Sequence, residues 1–110
     1  MTDDASQVIQ TLWKDRAWQA TETSGLTFSL LRPQDGGASI LLRFEKGTVG
    51  AEHVHPAGEE LVVLSGDITI GGRRLGVGDY LYTPPGAAHD AIAHEETVLF
   101  LNLPKLPVFL

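Results

Sequence analysis

Hydrophobic and polar positions along the chain follow two rhythms that change near Gly25. Before that glycine, Val8, Leu12 and Trp13 recur at helical spacing, which predicts either a short amphipathic helix over residues 4–19, starting at Asp4, or an arm lying on the body. After it come short apolar or alternating runs: "LTFSLLR", "ASILLRF", "TVGAEHVH", "EELVVLS", "ITI", "RRL", "YLYT", "AAHDAIA" and "TVLFLNL". Turn-forming stretches such as "PQDGG", "EKG", "PAG", "GG", "GVGD" and "PPG" separate them. Runs of this length and spacing predict about eight to ten strands in an antiparallel sandwich or small barrel, an all-β fold. The expected division is an N-terminal arm or short helix over residues 1–25 and a single barrel domain over residues 26–110.

Composition narrows the functions this barrel can serve. A chain of 110 residues with 43% hydrophobic and 20% charged residues can bury one core, and one site is the most to expect. Eight Lys and Arg against 14 Asp and Glu leave a formal charge of −6, which argues against nucleic acid and anionic membrane as partners. With no cysteine, disulfides and thiolate metal sites are excluded, so any metal is held by nitrogen and oxygen. The opening "MTDDASQVIQ" lacks the basic and apolar regions of a signal peptide, which makes the cytoplasm the expected location.

The candidate chemistry lies in two segments, "GTVGAEHVHPAGEELVVLSG" and "GDYLYTPPGAAHDAIA". Alternate residues of a strand face the same side, so His53 and His55 can aim at one interior point while Val54 turns away. After the "PAG" turn the chain returns with Glu59, Leu61 and Val63 on one face, and a strand beginning at His89 supplies a third imidazole. The carboxylate can come from Glu59 or Glu60; strand alternation and the distance to Gly66 favour Glu59. Three imidazoles and a carboxylate suit Fe, Mn, Ni, Cu, Co or Zn, one divalent transition ion, better than Mg or Ca. By the same alternation Leu61, Val63, Ala91 and Ala93 face inward.

The order Gly47, His53, His55, Glu59, Gly66, followed by Gly78, Pro84, Gly86 and His89, resembles the two motifs of the cupin superfamily at nine of ten positions. Ala93 stands where the second motif ends in Asn. The resemblance covers roughly residues 26–103 and implies a cupin jelly-roll barrel, an antiparallel double-stranded β-helix. It also implies a homodimer and one metal held by His53, His55, Glu59 and His89. "HPAGEELVVLSG" and "YTPPGAAH" more narrowly resemble the cupin domain of ChrR-type anti-sigma factors and related small dioxygenases. The anti-sigma role is not carried over, because it needs a helical domain with a zinc-binding cysteine.

Cupins serve many reactions, so the ligands alone do not name one. The expectation is a metal-dependent dioxygenase acting on a small organic molecule such as a β-diketone or polyphenol, with Glu59 as catalytic base. The alternatives are a non-enzymatic metal- and ligand-binding sensor and a metal-dependent isomerase. Among the remaining residues, His94 reads as an exposed loop histidine. Trp13 and Trp18 either cover the barrel mouth or pack on the body, and Tyr80 and Tyr82 either line the pocket or fill the core. The apolar tail "NLPKLPVFL" is a candidate for packing across a neighbouring subunit.

Overall fold

A computed structural model describes residues 7–109, with Phe109 described by its backbone alone. Two antiparallel sheets face each other. The larger contains β1 (Gln19–Ala20), β2 (Leu26–Gln34), β3 (Gly37–Phe44), β5 (Glu59–Ser65), β8 (Tyr80–Thr83) and β10 (Thr97–Leu103), in the order β1-β2-β3-β10-β5-β8. The smaller contains β4 (Val49–Val54), β6 (Asp67–Ile70), β7 (Arg73–Gly76), β9 (Ala88–Ala93) and β11 (Val108–Phe109), in the order β11-β4-β9-β6-β7. Sequence neighbours that lie in different sheets, such as β4 and β5, give the jelly-roll winding that the resemblance implies.

The core lies between the sheets, where every inward position found by alternation is filled. Phe44, Leu61, Val63, Leu99, Leu101 and Leu103 from the larger sheet meet Ile68, Ile70, Ala91 and Ala93 from the smaller. Leu61, Val63, Ala91 and Ala93 all face inward, as expected. The β6–β7 hairpin turns through Gly71 and Gly72, with φ of 54° and 80°, the paired left-handed geometry that a two-residue hairpin requires. Gly66 has a different reason to be glycine: a Cβ there would collide with the backbone of Glu96 and Thr97.

The N-terminal helix is not formed over the described residues. Only Trp13–Asp15 makes a turn, of 3-10 type, and the Asp4 start lies outside the described residues. Val8, Leu12 and Trp13 are all exposed, and a short helix with no apolar face to bury is marginal in water. The segment is instead an arm on the body. The Arg43 guanidinium lies 4.1 Å from the Trp18 ring centroid, and Trp13 meets Trp18 edge-on at 6.0 Å. Arg43 is on the outer face of β3, at the end away from Ala38, so the indoles pack on the sheet wall.

Two further expectations are corrected. In β8, Thr83 pairs with Glu59 and Leu81 with Leu61, which leaves Tyr80 and Tyr82 pointing outward, each 55% exposed, facing neither the histidine cluster nor the core; Tyr80 lines a small pocket on the outer face with Glu60, Val62 and Phe100. Tyr80 Oη donates to Glu60 Oε1 at 2.9 Å on this outer face. His94 is half-buried rather than an exposed loop residue, its Nε2 lying 2.7 Å from Thr69 Oγ1. In the tail, Val108 and Phe109 pair with Val54 and His53 of β4, adding an edge strand beside the histidines. No helix among the described residues is long and apolar enough to cross a membrane.

Candidate metal centre

His53 of β4 and His55 just past its end face inward because of one extra residue in the strand. Gly50 lies opposite Ala91, and a Cβ built on it would be 3.6 Å from both the Ala91 Cβ and the Phe44 ring, so this position faces the core. Plain alternation from Gly50 would then point Glu52 and Val54 inward and leave the histidines outside. Instead the register shifts between Gly50 and His53, two residues of β4 opposing Asp90 alone. This β-bulge swaps the faces and brings His53 opposite His89. His53 Nδ1 donates to the Ala51 carbonyl within the bulge at 2.9 Å, which leaves a lone pair on its Nε2.

The four residues anticipated from the motifs come together. His53 Nε2 is 3.1 Å from His89 Nε2, and His55 Nε2 is 3.2 Å from the same atom. Glu59 enters from the larger sheet with Oε2 3.0 Å from His55 Nε2 and Oε1 3.6 Å from His89 Nε2. One ligand atom from each residue lies within 4.8 Å of all the others. His55, Glu59 and His89 are buried, and His53 is the most open of the set. Of the two adjacent glutamates, Glu59 joins the cluster and Glu60 is exposed.

Without a cation these groups are poorly satisfied. Glu59 Oε1 is buried with no hydrogen-bond partner among the described residues, which is costly for a carboxylate oxygen. Burial holds His89 below the usual imidazole range, outweighing the attraction of Glu59, while His53 and His55 oppose its protonation further. Three converging imidazole nitrogens beside an orphaned carboxylate oxygen form a donor set that fits a transition ion. Separations of 3.0–3.2 Å also suit neighbouring ligands on metal bonds of about 2.1 Å.

The loops beneath are closed by backbone. Ala93, at the position where the motif has Asn, donates its N–H to Thr48 O at 3.0 Å and accepts from Gly47 N–H at 2.8 Å, while its methyl lies in the core. The departure from the motif therefore leaves the four converging residues intact. One residue of the site went unnoticed in the sequence: Thr83, buried beside Glu59, with Oγ1 3.4 Å from His89 Nδ1. A threonine ahead of two prolines reads as part of a turn, and only the β5–β8 register reveals it as an inward neighbour of the carboxylate.

A two-sheet jelly roll with three imidazoles and a carboxylate gathered between its walls defines a cupin barrel. Residues 5–107 match the family model of the ChrR Cupin-like domain, and the chain belongs to that family. It is 33% identical over 105 residues to the DNA damage-repair/toleration protein DRT102 of Arabidopsis thaliana, covering 89% of this chain and 33% of that protein. The chain thus spans about a third of that plant relative's length. An acetylacetone dioxygenase from Acinetobacter johnsonii superposes with a TM-score of 0.83 at 15% identity, covering 100% of this chain and 81% of the other. The anti-sigma ChrR of Rhodobacter sphaeroides, solved in complex with SigE, gives 0.73 at 21% identity, covering 84% of this chain and 50% of the matched one. At these identities the two structures establish the fold alone.

Proposed function

We propose that His53, His55, Glu59 and His89 hold one divalent transition metal and that the protein is a metal-dependent oxygenase of a small, enolisable organic molecule. The observation that carries this reading is the buried, unpartnered Glu59 oxygen beside three convergent imidazole nitrogens. The name of the Acinetobacter johnsonii structure supports the choice of chemistry. A transition ion bound there supplies Lewis acidity and, if redox-active, single-electron chemistry. Glu59 accepts the acidic proton of the substrate at its carboxylate, which makes it the catalytic base. Substrate arrives from the side of His53, the least buried ligand, because Leu61, Val63, Ala91 and Ala93 fill the barrel beneath. Only a small chelating end of the substrate reaches the cluster.

The test is oxygen consumption by protein loaded in turn with iron, manganese, copper, nickel, cobalt and zinc, after anaerobic addition of β-diketones, polyphenols and other enolisable compounds. Metal-dependent uptake that saturates with one substrate class, and that Glu59→Gln abolishes, is the expected result. No metal-dependent uptake across the panel overturns the oxygenase reading. A second reading, a metal-bearing sensor, is favoured by one observation: the same fold occurs in the anti-sigma ChrR, solved in complex with its protein partner SigE. Firmly held zinc with a saturated ligand shell would select that reading.

A further inference from the structure

The three imidazoles are held in three different ways. His53 donates from Nδ1 to the Ala51 carbonyl, a main-chain anchor within its own strand. His55 is 1% exposed and its Nδ1 has no partner among the described residues, so behind the cluster only packing backs the ring, whose Nε2 faces Glu59 Oε2 at 3.0 Å. For His89 the contact at Nδ1 is a side chain from the other sheet, Thr83 Oγ1 at 3.4 Å. Thr83 is 7% exposed, and its register partner in β5 is Glu59. One threonine therefore stands beside the carboxylate and behind an imidazole, bridging the two walls of the barrel.

We propose that Thr83 is a positioning residue that holds His89 with its proton on Nδ1 and its Nε2 lone pair aimed at the cluster. The inference rests on the metal reading above. A histidine that binds a cation through Nε2 carries its proton on Nδ1, and an acceptor at that atom fixes both tautomer and ring rotation. The threonine hydroxyl is such an acceptor. Its β-branched side chain has few rotamers in a strand, so the oxygen is held rather than swung into place. At 3.4 Å the contact is at the long end of hydrogen bonding, and bonds of this kind shorten when the site is loaded. The cross-sheet link matters because Glu59 belongs to the larger sheet and His89 to the smaller. Thr83 adds a link behind His89 to the contact that Glu59 Oε2 already makes with His55 Nε2 at 3.0 Å.

Three proteins test this: wild type, Thr83→Val, which keeps shape and loses the hydroxyl, and Thr83→Ser, which keeps the hydroxyl and loses the methyl. Cobalt(II) is the probe, with affinity measured by chelator competition and the ligand field read from its visible absorption. Urea midpoints of the metal-free proteins report folding separately. Thr83→Val is expected to bind cobalt about 10- to 100-fold more weakly, with an altered visible band, and Thr83→Ser to stay within about threefold of wild type. In the zinc-loaded wild type, the nitrogen-15 shifts of His89 should show the proton on Nδ1. Thr83→Val matching wild type in cobalt affinity and spectrum overturns the proposal, even if its urea midpoint falls, because a purely structural threonine would behave so. Wild type that takes up no cobalt overturns the metal reading itself, and this proposal with it.

Discussion

The two ends of the barrel treat buried polar atoms in opposite ways. At the end near Thr97, a residue of 0% exposure, the hydroxyl is fully used: its one proton is shared between Glu95 O at 2.9 Å and Asp67 O at 3.2 Å, and the oxygen accepts from Asp67 N–H at 3.1 Å. At the other end Glu59 Oε1 and His55 Nδ1 are as deeply buried and have no partner. Arg16 Nε and Nη1 in the N-terminal arm are also buried without partners among the described residues, but between the sheets a fold that uses the Thr97 hydroxyl so fully and leaves a carboxylate oxygen bare is giving up stability for a site at the histidine end. The Thr97 end and the apolar layers next to it secure the sandwich. The histidine end is prepared for something the chain does not itself supply.

The largest expected effect is in the apolar layers. Leu99 is 2% exposed among Val63, Ala93 and Phe44, so Leu99→Ala should destabilise the protein by about 2–5 kcal/mol through lost burial and the cavity it leaves. Cobalt affinity of the folded fraction should be unchanged, since Leu99 pairs with Val63, four residues along β5 from Glu59. Urea unfolding with and without cobalt measures both quantities. A change in affinity as large as the change in stability would mean that the two ends are not independent.

Glu59→Gln should do the reverse. Replacing a buried carboxylate that has an orphaned oxygen with a neutral amide should leave the metal-free protein as stable as wild type or slightly more so. Saturating metal should stabilise wild type by about 3 kcal/mol at a hundredfold excess over its dissociation constant, and the variant far less. Thermal unfolding with and without metal reads the difference. Loss of stability in the metal-free variant would show that the carboxylate serves the fold, and the contrast between the two ends would fail.

Much of this arrangement was legible in the sequence, for a physical reason. Period-two alternation and glycine or proline turns are local signals, and β5 through β10 lie where those signals put them. The His53, His55, Glu59 and His89 set was readable because alternate residues share a face and the motif spacing ties distant segments together. What was not legible depends on strand partners. The β4 bulge, which decides which face the histidines occupy, is visible only in the pairing with β9. Tyr80 and Tyr82 alternate with Leu81 and Thr83, and alternation alone cannot say which pair faces in until β8 is set against β5. The N-terminal helix failed for the opposite reason: Val8, Leu12 and Trp13 have the period but no surface to cover.

The smallest effect belongs to His89 in the metal-free protein. Burial holds its pKa below the ordinary imidazole value, chiefly by desolvating the charged form. Between that lowered value and about 6.5, the unfolded chain binds a proton that the folded chain refuses, so metal-free stability should rise with pH across this window and level off above it. The sign is the reverse of that for a histidine held charged by a salt bridge, even though Glu59 is only 3.6 Å away. Urea midpoints of the metal-free protein between pH 5 and 8 measure the slope, and His89→Gln should flatten it. A midpoint that falls as pH rises through this window would mean that the carboxylate, rather than burial, governs the imidazole. The histidine end would then be satisfied internally as an ion pair, much as Thr97 is satisfied by backbone, and its need for a cation would disappear.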